Sequence, residues 1–388
     1  MSNQYIPYGR QDITEQDIEA VVEVLRSDFI TQGPQVPEFE NALASYCGVS
    51  HAVAVNSATS ALHIACLALG LGPGDWLWTS PNTFIASANC ALYCGAQVDF
   101  VDIDERTYNL SVDRLEEKLQ QARQQNKLPK IIIPVHFAGQ SCDMKRLRVL
   151  AEEYGFHIIE DASHAIGGRY LDEPTGNCRY SDITVFSFHP VKIITTAEGG
   201  VATTNDERLA QVMQLLRSHG VTRDAALMEG DDDQAWYYEQ VDLGFNYRMT
   251  ELQAALGCSQ IRRLDDYIEQ RHAIRQIYDT ALADSGLILP WQHPDTRSAL
   301  HLYPIQLGEQ HELSRRQLFD RLRAAAIGVN VHYIPVPSQP YYRRLGFRVE
   351  DYPNALNYYQ HTVSLPMFAT LQPEQQQRVI DVLHEALQ

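Results

Sequence analysis

The sequence predicts an α/β fold in which a mainly parallel sheet is covered by helices and followed by a smaller C-terminal domain. Two observations lead to this prediction. Short apolar runs alternate with segments of helical periodicity, which is the pattern of strand–helix–strand crossover units. The chain also has 388 residues, 45% of them hydrophobic and 21% charged, which is enough for a large core and two domains.

The N-terminal elements are predicted to be helical. Thr14 is a candidate N-cap with Asp17 three residues later, and the apolar residues that follow have helical spacing, so a first helix is predicted from about Glu15. Pro37 suits the start of a second helix and Gly48 suits its end.

Strands and helices then alternate. "HAVAV" is predicted to be a buried strand, "ATSALHIACLALG" a helix closed by Gly70, "DWLWTS" a strand, and "TFIASANCALYCG" a helix closed by Gly95. Further strands are predicted at "QVDFVDI", "KIIIPVHF", "HIIED" and "ITVFSF". A long helix from about Glu251 to Asp284 leads into the smaller domain, which contains "HLYPIQL", "VNVHYIPV" and a last helix from about Pro373.

Charge and cysteine content exclude several classes of function. The net charge of −18 argues against nucleic acid or an anionic membrane as the main partner, so an anionic ligand must be held by backbone N–H groups or a few placed cations. Seven cysteines without a C-x-x-C pair predict reduced, mostly buried thiols, neither a disulfide framework nor a zinc site. No metal site is predicted. The N-terminus lacks an apolar signal core, so we expect a cytoplasmic protein.

Two residues carry the chemistry. Lys192 is the only charge among the first thirteen residues of "VFSFHPVKIITTAEGG", and Asp161 ends the strand in "HIIEDASHAIG". Considered alone, Lys192 fits an ordinary surface lysine equally well, and Asp161 fits a residue that caps the following turn. Together, at the ends of two strands, they suit pyridoxal 5′-phosphate (PLP): the lysine bonds to its aldehyde, and the carboxylate keeps its ring nitrogen protonated.

PLP also needs a phosphate site, and "AVNSATSALH" offers one. A strand is followed by small and hydroxyl residues that open a helix, where free N–H groups and the helix dipole favour an anion. The hydroxyls of Thr59, Ser60 and Ser187 are candidates for further hydrogen bonds. Read alone, the segment is an ordinary helix cap.

These motifs resemble the DegT/DnrJ/EryC1/StrS family of sugar aminotransferases, which are PLP enzymes of fold type I. The resemblance covers nearly the whole chain and is carried by "ITQGPQVPEFE", "NSATSALH", "GPGDWLWTSPNTFIASAN", "EDASHAIG", "FSFHPVKIITTAEGG", "LRSHG", "GFNYRMTELQAALG" and "HYIPV". It implies a seven-stranded, mainly parallel sheet. It also implies an N-terminal arm and helix over 1–30, a PLP-binding domain over 31–250, and a linking helix with a small α+β domain over 251–388.

The resemblance assigns roles to residues. Lys192 and Asp161 are implied to be catalytic, and Phe84 to cover one face of the cofactor ring. Phosphate contacts are implied for Ala58, Thr59 and Ser187, and for Asn246 from a neighbouring subunit, so a homodimer with shared sites is expected. His164 is implied to lie near the ring's 3′ oxygen. The implied substrate side comprises Tyr8, Asp28, Phe29, Ile30, Thr31, Arg248, Tyr333, Ile334, Pro335 and Val336.

Two departures from the wider family narrow the resemblance. Ala58 replaces a common Gly and His164 a common Gln; both fit the branch that forms UDP-4-amino-4,6-dideoxy-N-acetyl-β-L-altrosamine for pseudaminic acid biosynthesis. So does the segment "LMEGDDDQAWYYEQVDLGFNYR". The implied substrates are L-glutamate and a UDP-4-keto-6-deoxy-N-acetylhexosamine. Three alternatives stay open: transamination of another keto nucleotide sugar, a PLP-dependent sugar dehydratase, and a non-catalytic regulator on the same fold.

Overall fold

The computed structural model describes residues 4–230 and 234–388. Residues 1–3 of the predicted N-terminal arm and the three aspartates 231–233 of the segment quoted above lie outside the described residues. No helix in the described ranges is both long and apolar enough to cross a membrane.

A seven-stranded sheet forms the centre of the fold. Its strands are β1 (His51–Val55), β2 (Trp76–Thr79), β3 (Gln97–Phe100), β4 (Ile131–Ile133), β5 (His157–Asp161), β8 (Ile183–Ser187) and β9 (Gly200–Thr204). Their spatial order is β1-β9-β8-β5-β4-β2-β3. Only β9 runs antiparallel to its neighbours, β1 and β8. The predicted α/β architecture with a mainly parallel sheet is therefore confirmed.

The remaining strands form three small sheets. Strands β6 (Arg169–Tyr170), β7 (Glu173–Pro174) and β12 (Thr296–Arg297) form one, and β10 (Val221–Thr222) pairs with β11 (Glu239–Gln240). In the C-terminal part, β13 (Tyr303–Gln306) pairs antiparallel with β14 (Thr362–Leu365). The segment "HLYPIQL" thus contains a strand, whereas "HYIPV" continues as a loop into a short 3₁₀ turn.

Thirteen α-helices lie in the described ranges. They are α1 (Glu15–Arg26), α2 (Gln35–Cys47), α3 (Ala58–Ala68), α4 (Ala86–Tyr93), α5 (Val112–Gln124), α6 (Met144–Tyr154), α7 (Glu207–Arg217), α8 (Glu251–Ile261), α9 (Leu264–Ala281), α10 (Arg315–Ala324), α11 (Pro340–Arg344), α12 (Pro353–His361) and α13 (Pro373–Leu387).

Several helix ends follow from local sequence. Thr14 and Asp17 form a reciprocal capping box at the start of α1. Gly48, Gly70 and Gly95 follow α2, α3 and α4 in the left-handed backbone region, which glycine adopts without steric cost. These predicted boundaries are confirmed.

The predicted helix from Glu251 to Asp284 is wrong in one respect, because the chain forms two helices. Helix α8 ends at Ile261 and α9 begins at Leu264. At the break, the Arg263 guanidinium donates to both carboxylate oxygens of Asp17 at 2.9 and 2.7 Å. The interruption therefore places a cation against the buried carboxylate of α1.

The apolar core falls into clusters on the two faces of the large sheet and one separate C-terminal cluster. The C-terminal cluster is built from residues between Ile274 and Ala386, and it includes Ile6 from the N-terminal arm. The backbone of Ile6 bonds to Ala326 and Gly328, so the arm packs on the C-terminal part of the chain. The proposed domain limits at residues 30 and 250 stay a prediction.

Candidate active site

A cavity of about 450 Å³ opens at the carboxyl edge of the large sheet. The ends of β5 and β8, the start of α3 and the loop after β8 form one side, and the 330–333 segment closes the other. This is the edge at which ligands bind in open α/β sheets. We call this space the active-site cavity.

Asp161 is held rigidly at the floor of the active-site cavity. Its side chain is 5% exposed. Ser87 Oγ donates to Oδ2 at 2.6 Å, and the Ser163 N–H donates to Oδ1 at 3.1 Å. The preceding residue, Glu160, accepts a 2.6 Å hydrogen bond from His136, whose own N–H donates to the Asp161 carbonyl. The carboxylate is therefore fixed from both its side chain and its backbone.

Lys192 faces the same cavity from the loop after β8. Burial lowers the pKa of its amine to about 8, and the negative charge of Asp161 opposes this only in part. Among the ion pairs of residues 4–230 and 234–388, none joins Lys192 to Asp161. The Lys192 amine and the Asp161 carboxylate therefore both line the active-site cavity without forming an ion pair across it.

The start of α3 forms the predicted anion cradle. Ser57 caps the helix, since its Oγ accepts from the Ser60 N–H at 3.2 Å. In the described part of the chain, the N–H groups of Ala58 and Thr59 have no hydrogen-bond acceptor. A side chain at Gly200 would collide with the backbone of Ser57 and Ala58, so glycine lets β9 approach the cradle. These features fit a phosphate group.

Aromatic and imidazole rings close the cavity on the side of the 330–333 segment. His164 Nε2 lies 2.9 Å from Tyr333 Oη. The ring centroids of Phe84 and Tyr333 are 6.4 Å apart, and Phe84 is 58% exposed. Phe84 is therefore placed to cover one face of a flat ring that lies between Asp161 and Lys192.

The structure brings nine predicted residues together in the active-site cavity: Tyr8, Ala58, Thr59, Phe84, Asp161, His164, Ser187, Lys192 and Tyr333. Ile334 lines a neighbouring cavity of about 670 Å³, which shares Phe84 and Tyr333 with the first. Pro335 and Val336 are buried beside it.

Other predicted residues do not reach this cavity within one chain. Asp28, Phe29, Ile30 and Thr31 are exposed on the loop between α1 and α2. Asn246 is also exposed, and its carbonyl accepts a 3.4 Å hydrogen bond from Asn56 Nδ2, while Arg248 pairs with Val55 at the end of β1. Their predicted roles stay predictions.

Sequence reasoning missed several residues of the site. Ser87 is one of them, although a small polar residue inside the apolar "TFIASAN" helix is a usable signal. His301 lines the cavity from the segment "HLYPIQL", which the sequence places only in the smaller domain, and Asn330 lines it next to His332. Nothing in the local sequence of these two residues indicates that they meet Asp161 and Lys192.

The fold and the site together define a class. A mainly parallel sheet that delivers a lysine, a carboxylate and an anion cradle to one cavity is the architecture of PLP-dependent enzymes of fold type I. The chain belongs to the DegT/DnrJ/EryC1/StrS aminotransferase family, whose model matches residues 11–384. It is a PLP-dependent sugar aminotransferase, and the residues present fit the cofactor.

Similar proteins match over almost their whole length. The chain is 40% identical over 387 residues to the spore coat polysaccharide biosynthesis protein SpsC of Bacillus subtilis, covering 99% of this chain and 97% of that one. It is 37% identical over 384 residues to the UDP-4-amino-4,6-dideoxy-N-acetyl-β-L-altrosamine transaminase of Campylobacter jejuni, covering 99% and 98%.

A solved structure is similarly close in fold. Helicobacter pylori PseC, an aminotransferase involved in the biosynthesis of pseudoaminic acid, superposes with a TM-score of 0.90 at 30% identity, covering 99% of each chain. The seven-stranded fold and the enzyme class predicted from the sequence are confirmed by these relationships.

Proposed function

We propose that this enzyme transfers an amino group from L-glutamate to the C4 ketone of a UDP-4-keto-6-deoxy-N-acetylhexosamine, giving UDP-4-amino-4,6-dideoxy-N-acetyl-β-L-altrosamine on the pseudaminic acid pathway. The Campylobacter jejuni transaminase and Helicobacter pylori PseC support this substrate. The similarity to Bacillus subtilis SpsC is somewhat higher, so another keto nucleotide sugar is the second candidate.

The relationship between Lys192 and Asp161 carries the proposal. When bound, PLP supplies an electron sink for the charge left on a carbon that loses a proton. Lys192 is the base that takes this proton from the donor's α-carbon and the acid that returns it. At a pKa of about 8, roughly one amine in ten is neutral at pH 7, compared with fewer than one in a thousand for an ordinary lysine.

Asp161 would accept a hydrogen bond from the ring nitrogen of the cofactor. Ser87 and the Ser163 N–H orient its two oxygens. The Ala58 and Thr59 N–H groups would hold the phosphate of the cofactor. Amino donor and sugar use this same cavity in turn, which is a ping-pong scheme.

The same proposal includes a homodimer with shared sites. Asn246 is exposed and is not among the residues that line its own cavity, in keeping with a phosphate contact made to the other subunit. Large apolar side chains surround the neighbouring cavity and are exposed in a single chain, among them Phe84, Tyr93, Ile334 and Tyr341. A second copy of the chain would cover them.

A dehydratase or regulator on this fold is less well supported. In the PLP-dependent sugar dehydratase, a histidine replaces the lysine at position 192, and regulators often lose the lysine or its carboxylate; this chain retains both. Location in the cytoplasm stays a prediction from the sequence.

Product analysis tests the substrate. The purified enzyme is incubated with glutamate and each of a panel of UDP-4-keto-6-deoxy-N-acetylhexosamine epimers, and products are identified by mass spectrometry and NMR. We expect the altrosamine product with a single epimer. Lys192→Ala is the matched control and should yield none. Preference for a sugar outside this panel would overturn the substrate assignment, and turnover by Lys192→Ala would overturn the catalytic one.

A further inference from the structure

Two residues in the active-site cavity form a hydrogen-bond chain with a fixed direction. The Ala138 N–H donates to His164 Nδ1 at 3.3 Å, and His164 Nε2 lies 2.9 Å from Tyr333 Oη. Burial and the positive charge of Lys192 lower the pKa of His164 well below its ordinary value, so the imidazole is neutral. A neutral imidazole has one donor and one acceptor nitrogen. Nε2 therefore carries the hydrogen and donates to Tyr333.

The hydroxyl hydrogen of Tyr333 must then point elsewhere. Burial, and next the charge of Asp161, raise the pKa of Tyr333, so the phenol keeps its proton. Over the described ranges, His164 is the only side-chain partner of Tyr333 Oη. Because Tyr333 lines the cavity together with Lys192 and Asp161, this hydrogen is available to a bound ligand.

We propose that Tyr333 donates a hydrogen bond to the phenolic 3′ oxygen of PLP, and that His164 is the positioning residue that directs it. The inference rests on the proposed role of the cavity as the cofactor site. Family resemblance places His164 itself near this oxygen, but both of its ring nitrogens are already bonded. The donor role passes to Tyr333, whose main chain is fixed by a 3.2 Å hydrogen bond from its N–H to Asn82 Oδ1.

The proposal predicts a spectroscopic change that needs no substrate. A hydrogen bond to the phenolic oxygen stabilises the form of the bound cofactor that carries the most negative charge there, which is the deprotonated one. Tyr333→Phe removes the bond. We expect the pH midpoint of the holoenzyme's visible absorption to rise by about one unit, a tenfold change in the dissociation constant, as for one charge-assisted hydrogen bond.

Variants of His164 test the directing role. In His164→Gln, the amide oxygen can accept from Ala138 and the amide nitrogen can donate to Tyr333, so the midpoint should stay near that of the wild type. His164→Leu leaves the Tyr333 hydroxyl undirected, and the midpoint should rise. This pair decides the question if Tyr333→Phe fails to fold, which circular dichroism would reveal.

Tyr358→Phe is the matched control. Tyr358 is buried outside the cavity and packs against Phe137, which also packs against Tyr333, with centroid distances of 5.8 and 6.2 Å. Its removal should leave the midpoint unchanged. An unchanged midpoint in Tyr333→Phe would overturn the proposal, and a raised KM for glutamate in that variant would then assign the hydroxyl to the amino donor.

Failure of the cavity as the cofactor site, on which the proposed function depends, would look different. The wild-type protein would then show no visible absorption from the cofactor, and borohydride would fix no adduct at Lys192. In that case the cavity is not the cofactor site and the inference falls with it.

Discussion

Ser87 Oγ donates a 2.6 Å hydrogen bond to Oδ2 of Asp161 from the buried side of α4. Thr83 Oγ1 lies 2.9 Å from the same Ser87 oxygen. Because Ser87 has one proton and uses it toward the carboxylate, Thr83 is the donor in the second bond. Thr83 therefore donates to Ser87 and Ser87 donates to Asp161, and in this series each of the two hydrogen bonds strengthens the other.

Ser87→Ala should reduce turnover without preventing cofactor binding. A hydrogen bond to a charged group contributes about 1.5–3 kcal/mol, and we expect kcat to fall about tenfold because Asp161 is less well held against the ring nitrogen. Thr83→Val, one bond further from the carboxylate, should have a smaller effect. Steady-state kinetics with cofactor content measured by absorbance check both. Equal effects, or a wild-type kcat in Ser87→Ala, would show that the series does not act through Asp161.

The depressed pKa of Lys192 predicts how the apoprotein responds to pH. In the unfolded chain the amine titrates near 10.4, and in the folded chain at about 8. Between these values the unfolded state binds the proton and the folded state does not, so this residue makes stability rise with pH. Below pH 8 both states are protonated, and the cost of the buried charge is fully present.

Lys192→Met supplies the comparison. Thermal unfolding of cofactor-free protein between pH 7 and pH 10 should show a more positive slope of Tm against pH for the wild type than for Lys192→Met. Identical slopes would mean that the Lys192 amine is not desolvated in the folded apoprotein.

The sequence predicts well those parts of the fold that depend on residues close together in the chain. The capping box of Thr14, the left-handed glycines and the apolar strands all depend on neighbours in sequence. The start of α2 depends instead on a residue that is far away in the sequence. The sequence predicts this start at Pro37, but the helix begins at Gln35. Glu251 accepts hydrogen bonds there from the N–H groups of Gln35 and Val36, which are 216 and 215 residues away in the chain.

The residues of the active site also divide into those that local sequence predicts and those that only long-range packing brings together. Lys192, Asp161 and the α3 cradle are predictable because each lies at or after the carboxyl end of a strand, and these ends must lie at the same sheet edge. His301 and Tyr333 come from the C-terminal part of the chain, and the packing of that part on the sheet brings them to the cavity. No periodicity encodes such packing, so the His164–Tyr333 contact could not be read from the sequence.

Asp17→Ala should destabilise the fold strongly. The carboxylate is buried and accepts from the Thr14 N–H, Gln260 Nε2 and the Arg263 guanidinium, which joins α1 to the break between α8 and α9. Removing one partner of such an ion pair leaves the other charge uncompensated, and we expect a loss of about 3 kcal/mol in unfolding free energy at pH 7.

The same carboxylate predicts a pH dependence. Although burial alone would raise the pKa of Asp17, its hydrogen bonds and the Arg263 charge more than offset this, so the pKa lies below its ordinary value. Its stabilisation is present above pH 4 and is lost as pH falls through the folded pKa, so the difference between wild type and Asp17→Ala should shrink in acid. Asp320→Ala, in an exposed pair with Arg316, is the control and should change urea unfolding little. A constant difference from pH 7 to pH 3 would contradict the ion-pair explanation.

Mixing two inactive variants tests the shared site. Lys192→Ala lacks the proposed base, and Asn246→Ala lacks the proposed contact from the neighbouring subunit. In a mixed dimer, one of the two sites would pair an intact Lys192 with an intact Asn246, while the other would lack both. After refolding an equimolar mixture, half of the dimers are mixed, so about a quarter of wild-type activity should return. Each variant refolded alone should stay inactive. If Asn246 instead served its own subunit, every site in the mixture would lack one of the two residues, and no activity would return.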